Sequence, residues 1–164
     1  MNDENPSFVL SNRGAGAAAP VLADVQATGR LDGVLFELTL RQTYRRPGGN
    51  RPLEVIYTFP LPFQAVLLGF ASELNGERKE GAIVARRQAE RRYEEALAEG
   101  DAPVMLEALP LGLHTANIGN LQQGDEIVLE VRFAQLLTFE QGRLRLSIPT
   151  AIAPRYGNAE HAWL

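Results

Sequence analysis

Hydrophobic and polar positions alternate along most of this chain. Val34, Phe36, Leu38 and Leu40 interleave with Leu35, Glu37, Thr39 and Arg41. One face of that run is apolar and the other mostly polar, as in a half-buried antiparallel strand. Leu53, Val55, Tyr57 and Phe59 repeat the pattern, and Pro60 and Pro62 end it because proline cannot donate to a ladder. Between the two runs lies Arg46-Pro47-Gly48-Gly49-Asn50, a cluster of turn residues. Two alternating runs joined by a short Gly/Pro loop predict a hairpin. A third run places Val66, Leu68, Phe70 and Leu74 on one face, with Asn75-Gly76 as the turn that follows. Ile127, Leu129, Val131 and Phe133 make a fourth, alternating with Val128, Glu130 and Arg132. Leu144, Leu146 and Ile148 make a fifth, ended by Pro149. Short strands with frequent turns predict a mainly β chain, an antiparallel β-sandwich.

One segment breaks the rhythm. Arg86 to Glu99 has no Gly or Pro and is rich in Ala, Glu, Arg and Leu. Ala89, Tyr93, Ala96 and Leu97 fall on one narrow stripe of a helix. Arg86/Glu90 and Arg91/Glu95 are four apart and can pair weakly, and Gly100 stands where a C-cap glycine belongs. A single α-helix over about 86–99 is therefore expected, inserted between strands. Residues 1–20 read as a loose arm, since Ser11 to Pro20 is mostly Gly and Ala. Gly14-Ala15-Gly16-Ala17-Ala18-Ala19 resembles a dinucleotide fingerprint, but Pro20 and a new strand follow it. No helix N-terminus is left there to hold a pyrophosphate. The sandwich is expected over 21–157, with 158–164 as linker or tail.

Composition narrows the chemistry. The 164 residues contain no Cys and only two His, at 114 and 161. Disulfides, thiolate metal sites and cysteine nucleophiles are excluded, and a His-rich metal site is not expected. With 16 basic and 20 acidic residues the formal charge is −4, unlike a general nucleic-acid binder. The start of the chain is acidic and polar, unlike a secretory leader. No apolar stretch reaches the roughly 18–20 residues that cross a bilayer. A cytoplasmic location is expected.

Catalytic constellations are hard to find. There is no G-x-S-x-G, no G-x-x-x-x-G-K, no H-E-x-x-H and no EF-hand loop. His114 and Thr115 are neighbours on a strand and so face opposite ways. Glu107, flanked by Met105, Leu106, Ala108 and Leu109, is expected to be buried, paired with an Arg and structural. Arg86, Arg87, Arg91 and Arg92 share their helix with Glu90, Glu94, Glu95 and Glu99, which reads as a solvated, ion-paired face. Phe36, Tyr57, Phe59, Phe70 and Phe133 fall on apolar strand faces and read as core.

The order of segments resembles a known family. Arg51-Pro52-Leu53-Glu54-Val55-Ile56-Tyr57-Thr58-Phe59-Pro60-Leu61-Pro62 is similar to the signature strand of the vault protein inter-alpha-trypsin (VIT) domain. A helix like Ala89–Gly100, an acidic residue like Glu107, a segment like Thr115–Leu121, a turn like Gln123–Glu126 and a closing stretch like Ile152–Tyr156 follow in the family's order. The resemblance covers roughly Val21 to Gly157. The chain departs from the pattern at Leu113, where the family usually has an aromatic, and at Phe63, where it usually has a charged residue. The resemblance implies a β-sandwich with one helix, no catalytic centre, no cofactor and no metal of its own. It also implies protein–protein interaction or scaffolding beside a von Willebrand A-type domain, which is the expected partner. Leu111, Leu113, His114, Arg86 and Arg87 are the candidate contact residues. A carbohydrate-binding sandwich is the alternative; it requires exposed aromatics such as Tyr44, Tyr57 and Trp163 near acidic residues. Neither reading specifies an oligomeric state.

Overall fold

A computed structural model describes residues 9–12, 19–81, 86–109 and 113–148; for residues 9–12 and Arg86 it describes the backbone alone. The strands are β1 (Val9–Asn12), β2 (Val21–Asp32), β3 (Leu35–Arg45), β4 (Leu53–Pro60), β5 (Val66–Leu74) and β6 (Glu77–Glu80). The helix α1 (Arg86–Glu99) precedes β7 (Val104–Ala108), β8 (Leu113–Leu121), β9 (Glu126–Leu136), β10 (Phe139–Glu140) and β11 (Arg143–Leu144). They form a four-stranded sheet, β1-β4-β8-β7, a five-stranded sheet, β2-β3-β9-β5-β6, and the small hairpin β10-β11. Among the described residues every pairing is antiparallel. The fold is mainly β with one helix, as the alternation predicts. Part of the segment read as a loose arm is β1, whose backbone pairs with β4 from Val9↔Thr58 to Asn12↔Val55.

The two larger sheets pack through their apolar faces. On β3 the buried positions alternate through Phe36, Leu38, Leu40, Gln42 and Tyr44; on β4 they are Leu53, Val55, Tyr57 and Phe59. Tyr44 meets Tyr57 edge-on with ring centroids 6.2 Å apart. Phe59 stacks on Phe70 of β5 at 6.1 Å. Aromatic contacts of this kind add to the burial that drives the sheets together. The Tyr57 hydroxyl donates to Oε1 of buried Gln42, so the core contains a satisfied polar pair. Burial pushes the Tyr57 phenol well above its usual pKa, with Tyr44 adding to the shift.

The structure corrects the expected β3–β4 hairpin. β3 pairs with β2 and β9, whereas β4 pairs with β1 and β8. The Arg46–Asn50 turn residues carry the chain from one sheet to the other. Arg46 is 3% exposed and its guanidinium donates to the carbonyls of Leu121 and Arg51. Its backbone N–H bonds to Asp125 O at 3.0 Å, and its own carbonyl accepts from Gly124 N at 3.1 Å. The crossover is thereby tied both to the approach to β4 and to the β8–β9 turn.

Two further expectations change. Val66 and Leu68 are exposed, at 63% and 53%. The β5–β9 register slips between Leu67 and Gly69, so Leu68 is a bulge and Leu67 takes the inward position. The Leu144–Ile148 run gives only a two-residue strand, with Leu146 exposed and Leu144 and Ile148 resting on the core. The Asn75-Gly76 turn is as expected, with φ of 48° and 91°, and it opens the short strand β6, which the alternation does not reveal.

The helix ends in a Schellman motif. Asp101 N bonds to Ala96 O and Gly100 N to Leu97 O. Asn120 completes this end from β8, its Nδ2 donating to the carbonyls of Leu97 and Asp101 at 3.0 and 2.7 Å. Tyr93 is buried on the helix stripe and its hydroxyl bonds to Glu54 of β4 at 3.1 Å. The helix thus lies over the outer face of the four-stranded sheet. Gly119 makes that approach possible, since a Cβ there would collide with a Leu97 methyl.

The crossover makes a clear stability prediction. Gly49 has φ +123°, and a Cβ added to it would meet the Arg46 guanidinium at 2.7 Å; Gly48 has open space around it. Gly49→Ala is expected to cost about 1–3 kcal/mol in urea unfolding, from backbone strain and displacement of the Arg46 bonds. Gly48→Ala is expected to be nearly silent.

Candidate interaction surfaces

Of the candidate contact residues, the side chains of Arg87, Leu113 and His114 are described. Leu111 lies outside the described residues, as does the side chain of Arg86. Arg87 is exposed in the first turn of α1. Leu113 and His114 are half-buried at the start of β8. The His114 ring stacks on Phe59, its partner in register, with centroids 5.2 Å apart, so it belongs to the inner face of the sheet. Thr115 faces the other way, opposite Glu107. Glu107 itself is half-buried on β7 and does not sit in the core. Tyr44 and Tyr57 are core residues and offer no stacking platform to a sugar; Trp163 lies outside the described residues.

Among the described residues the buried carboxylate is Glu130, which alternation assigns to a solvated face. It sits on the outer face of the five-stranded sheet, at the middle of central strand β9, and its side chain is 10% exposed. Arg78 reaches it from β6 with two hydrogen bonds, 2.8 and 3.2 Å. Arg41 of β3, its partner in register, donates at 3.2 Å and also meets Glu73 at 3.4 Å. Arg132 lies 4.0 Å away. Ala71, the partner of Glu130 on β5, is small enough to let Arg78 cross above it. The Arg78 hydrogen bonds hold the Glu130 carboxyl below the usual carboxylate range; burial opposes this, and the charges of Arg78, Arg41 and Arg132 reinforce it. Glu80 of β6 meets Arg78 at 3.5 Å. The cluster is thus a brace of three arginines and three glutamates across four strands, and its charges neutralise one another.

Toward one end the same face becomes apolar. Leu35 of β3 pairs with Leu136 of β9, and Val66 of β5 pairs with Ala134, two residues back on β9. All four positions share the outer face, because Phe36, Phe133 and Leu67 take the inward ones. Leu136 is 69% and Val66 63% exposed, and Leu35 is exposed beside them. Glu37, the partner of Ala134 on β3, is the charged residue at the border of this group. The exposed rings of Phe63 and Phe139 lie in the chain just before β5 and just after β9, at the same end of the sheet. A contiguous apolar patch of this kind, next to a self-neutralised ionic cluster, has the character of a protein contact surface.

A groove of about 500 Å³ opens between β5, β6, α1 and β7. Leu67, Phe70, Ala89 and Met105 make it apolar, with Lys79 and Arg92 also in its wall. Among the described residues no cluster of three His, Asp or Glu could hold a metal ion. No helix there is long and apolar enough to cross a membrane.

Residues 22–133 match the vault protein inter-alpha-trypsin domain. The chain belongs to that family. It is similar to von Willebrand factor A domain-containing protein 5A of rat, at 29% identity, and of mouse, at 30%. Each match covers 68% of this chain and 14% of the relative. Human protein mono-ADP-ribosyltransferase PARP4 is 26% identical across 81% of the chain and 8% of its own length. The VIT domain described here thus corresponds to a small part of much larger proteins. Within it the matched span runs from β2 to Phe133 of β9, and so takes in the crossover, the helix and the Glu130 brace.

The brace predicts an acid-sensitive domain. Because the folded carboxyl is held below its unfolded value, its contribution is present above the ordinary carboxylate range. It is lost as pH falls through the folded value. Glu130→Gln is expected to cost roughly 1–3 kcal/mol near neutral pH, in line with hydrogen bonds to a charged group. The same substitution is expected to flatten the acid limb of a stability-versus-pH curve measured by urea unfolding.

Proposed function

We propose that this VIT domain is a non-catalytic interaction module of a larger protein that also carries a von Willebrand A-type domain. The apolar end of its outer face is where it meets a protein partner. The observation that carries the reading is the patch of Leu35, Val66, Ala134 and Leu136, placed side by side across three strands and exposed at its three large residues. Folding leaves these side chains uncovered among the described residues, and burying them against a partner is the favourable step they offer. Composition supports the same reading: with no Cys, reactive thiol chemistry is closed to the chain. The name of the rat and mouse relatives makes an A-type domain the first partner to test.

Calorimetry of this chain against the A-type domain of its own polypeptide tests the proposal. The unsubstituted chain is expected to bind. Val66→Asp and Leu136→Asp, at exposed positions, are expected to weaken binding about tenfold or more, as for loss of a buried apolar anchor. Arg87→Glu, on the helix, is expected to leave it unchanged. Absence of binding, or patch variants that bind as tightly as the unsubstituted chain, would overturn the assignment.

A further inference from the structure

Strand β2 is unlike the other edges of this domain. Among the described residues it pairs only with β3, so one whole side of its backbone is open. It is twelve residues long, every one of them exposed, and it contains no Pro and no Lys. The opposite edge of the same sheet, β6, is four residues of mixed charge, Glu77-Arg78-Lys79-Glu80. β7, an edge of the other sheet, is five residues long. Short strands, edge Lys or Pro and bulges are ordinary protections against strand addition. Of these β2 has only a bulge, between Leu22 and Asp24 near its start, which leaves Asp24–Asp32 regular.

Its side chains divide cleanly. Leu22, Val25, Ala27, Gly29 and Leu31 stand beside Tyr44, Gln42, Leu40, Leu38 and Phe36 in register, on the face that forms the core further along the sheet. Val25 and Leu31 are nevertheless about half exposed, at 49% and 52%. The five-stranded sheet overhangs the core at this strand. Asp24, Gln26, Thr28, Arg30 and Asp32 stand on the outer face. Asp24 and Arg30 lie three residues either side of Ala27. Their present partners are local and exposed: Gln26 donates to Asp24 at 3.0 Å, and Arg30 sits 3.7 Å from Asp32.

That spacing is self-complementary. When two antiparallel copies of β2 are paired about a two-fold axis at Ala27, Asp24 of each copy stands opposite Arg30 of the other. Gln26 then stands opposite Thr28, and Val25 opposite Gly29. Shifting the axis by one residue to Thr28 sets Asp24 against Asp32, and shifting it to Gln26 sets Asp24 against Thr28. Like charges directly opposite each other destabilise a strand pair, so the charges select one register. The two-fold arrangement also keeps the apolar face of one strand level with that of the other.

We infer that β2 is a self-association edge, through which two copies of this domain join their five-stranded sheets into one continuous sheet centred on Ala27. The surface is separate from the outer-face patch assigned to a protein partner, and its test does not depend on that reading.

Sedimentation velocity of the whole chain, with circular dichroism as the check on folding, tests this inference. The unsubstituted chain is expected to be a concentration-dependent dimer. Asp24→Arg alone and Arg30→Asp alone each place like charges opposite one another at both symmetric positions, and each is expected to weaken the dimer about tenfold or more. In an equimolar mixture, a pair made of one Asp24→Arg copy and one Arg30→Asp copy again has opposite charges at both positions. The mixture is expected to dimerise like the original chain. The doubly substituted chain is expected to do the same. A monomer at every concentration, a dimer indifferent to the single substitutions, or failure of the mixture to recover would each overturn the proposal.

Discussion

The architecture depends on how the chain gets from one sheet to the other, and Arg46 carries that step. A guanidinium that is almost fully buried must find acceptors, and here the carbonyls of Leu121 and Arg51 accept from its two terminal nitrogens. Its own backbone is bonded to Gly124 and Asp125. The end of β3, the start of β4 and the β8–β9 turn are therefore one structural unit. Asn75 extends it: its side chain bonds to Asp125 and to the amide of Glu126, so the β5–β6 turn joins the same knot. With those turns and strand ends fixed, the two sheets have little freedom left in their relative placement. The aromatic contacts of Tyr44 with Tyr57 and of Phe59 with Phe70 can then form in a defined register.

Polar groups give this core its specificity in a second way. Gln42 occupies an inward position on β3 where the alternation calls for an apolar residue. It is accommodated because Tyr57 donates to it from the opposite sheet. Such a bond is directional and links β3 to β4 across the sandwich, which dispersion alone would leave free to slide. On the outer face Glu130 does the corresponding work along the sheet, joining β3, β9 and β6 through Arg41 and Arg78. Removing one partner from either arrangement leaves a buried group unmet, so each is more costly to break than it was favourable to make.

Much of this is legible in the residues, and the failures have physical causes. β3, β4 and β9 each keep an unbroken period of two, so most of their core positions follow from spacing alone. The helix likewise follows from its stripe and from Gly100. The Arg46–Asn50 cluster announces a turn, but local turn chemistry says nothing of which strand comes next. The decisive residue is Arg46, and its burial depends on carbonyls 5 and 75 residues away. Alternation misphases β5, because a bulge adds a residue without any marker in the pattern, and so it puts Val66 and Leu68 in the core. That single slip hides the apolar patch, since Val66 is one of its most exposed side chains. Glu130 is equally hidden, because its burial comes from arginines at three other positions of the sheet. The candidate contact residues around Leu113 and on the helix rest on the character of single residues, and His114 packs against Phe59.

The placement of the exposed surfaces follows from the sheet order. β9 is central and β2 is lateral, so a patch built on β3, β9 and β5 faces outward from the sheet while the β2 edge faces along it. Contacts perpendicular to a sheet bury side chains, and contacts along it form backbone hydrogen bonds; neither uses the other's atoms. A partner can cover Leu136 and Val66 without touching the open side of β2. The Glu130 brace shares their sheet, and its mutual neutralisation matters for both surfaces. It stiffens the strands that present the patch and keeps a strong local field away from the few charges on β2. Asp24 and Arg30 are then the charges that decide register at that edge, because the larger cluster on the same face has already satisfied its own.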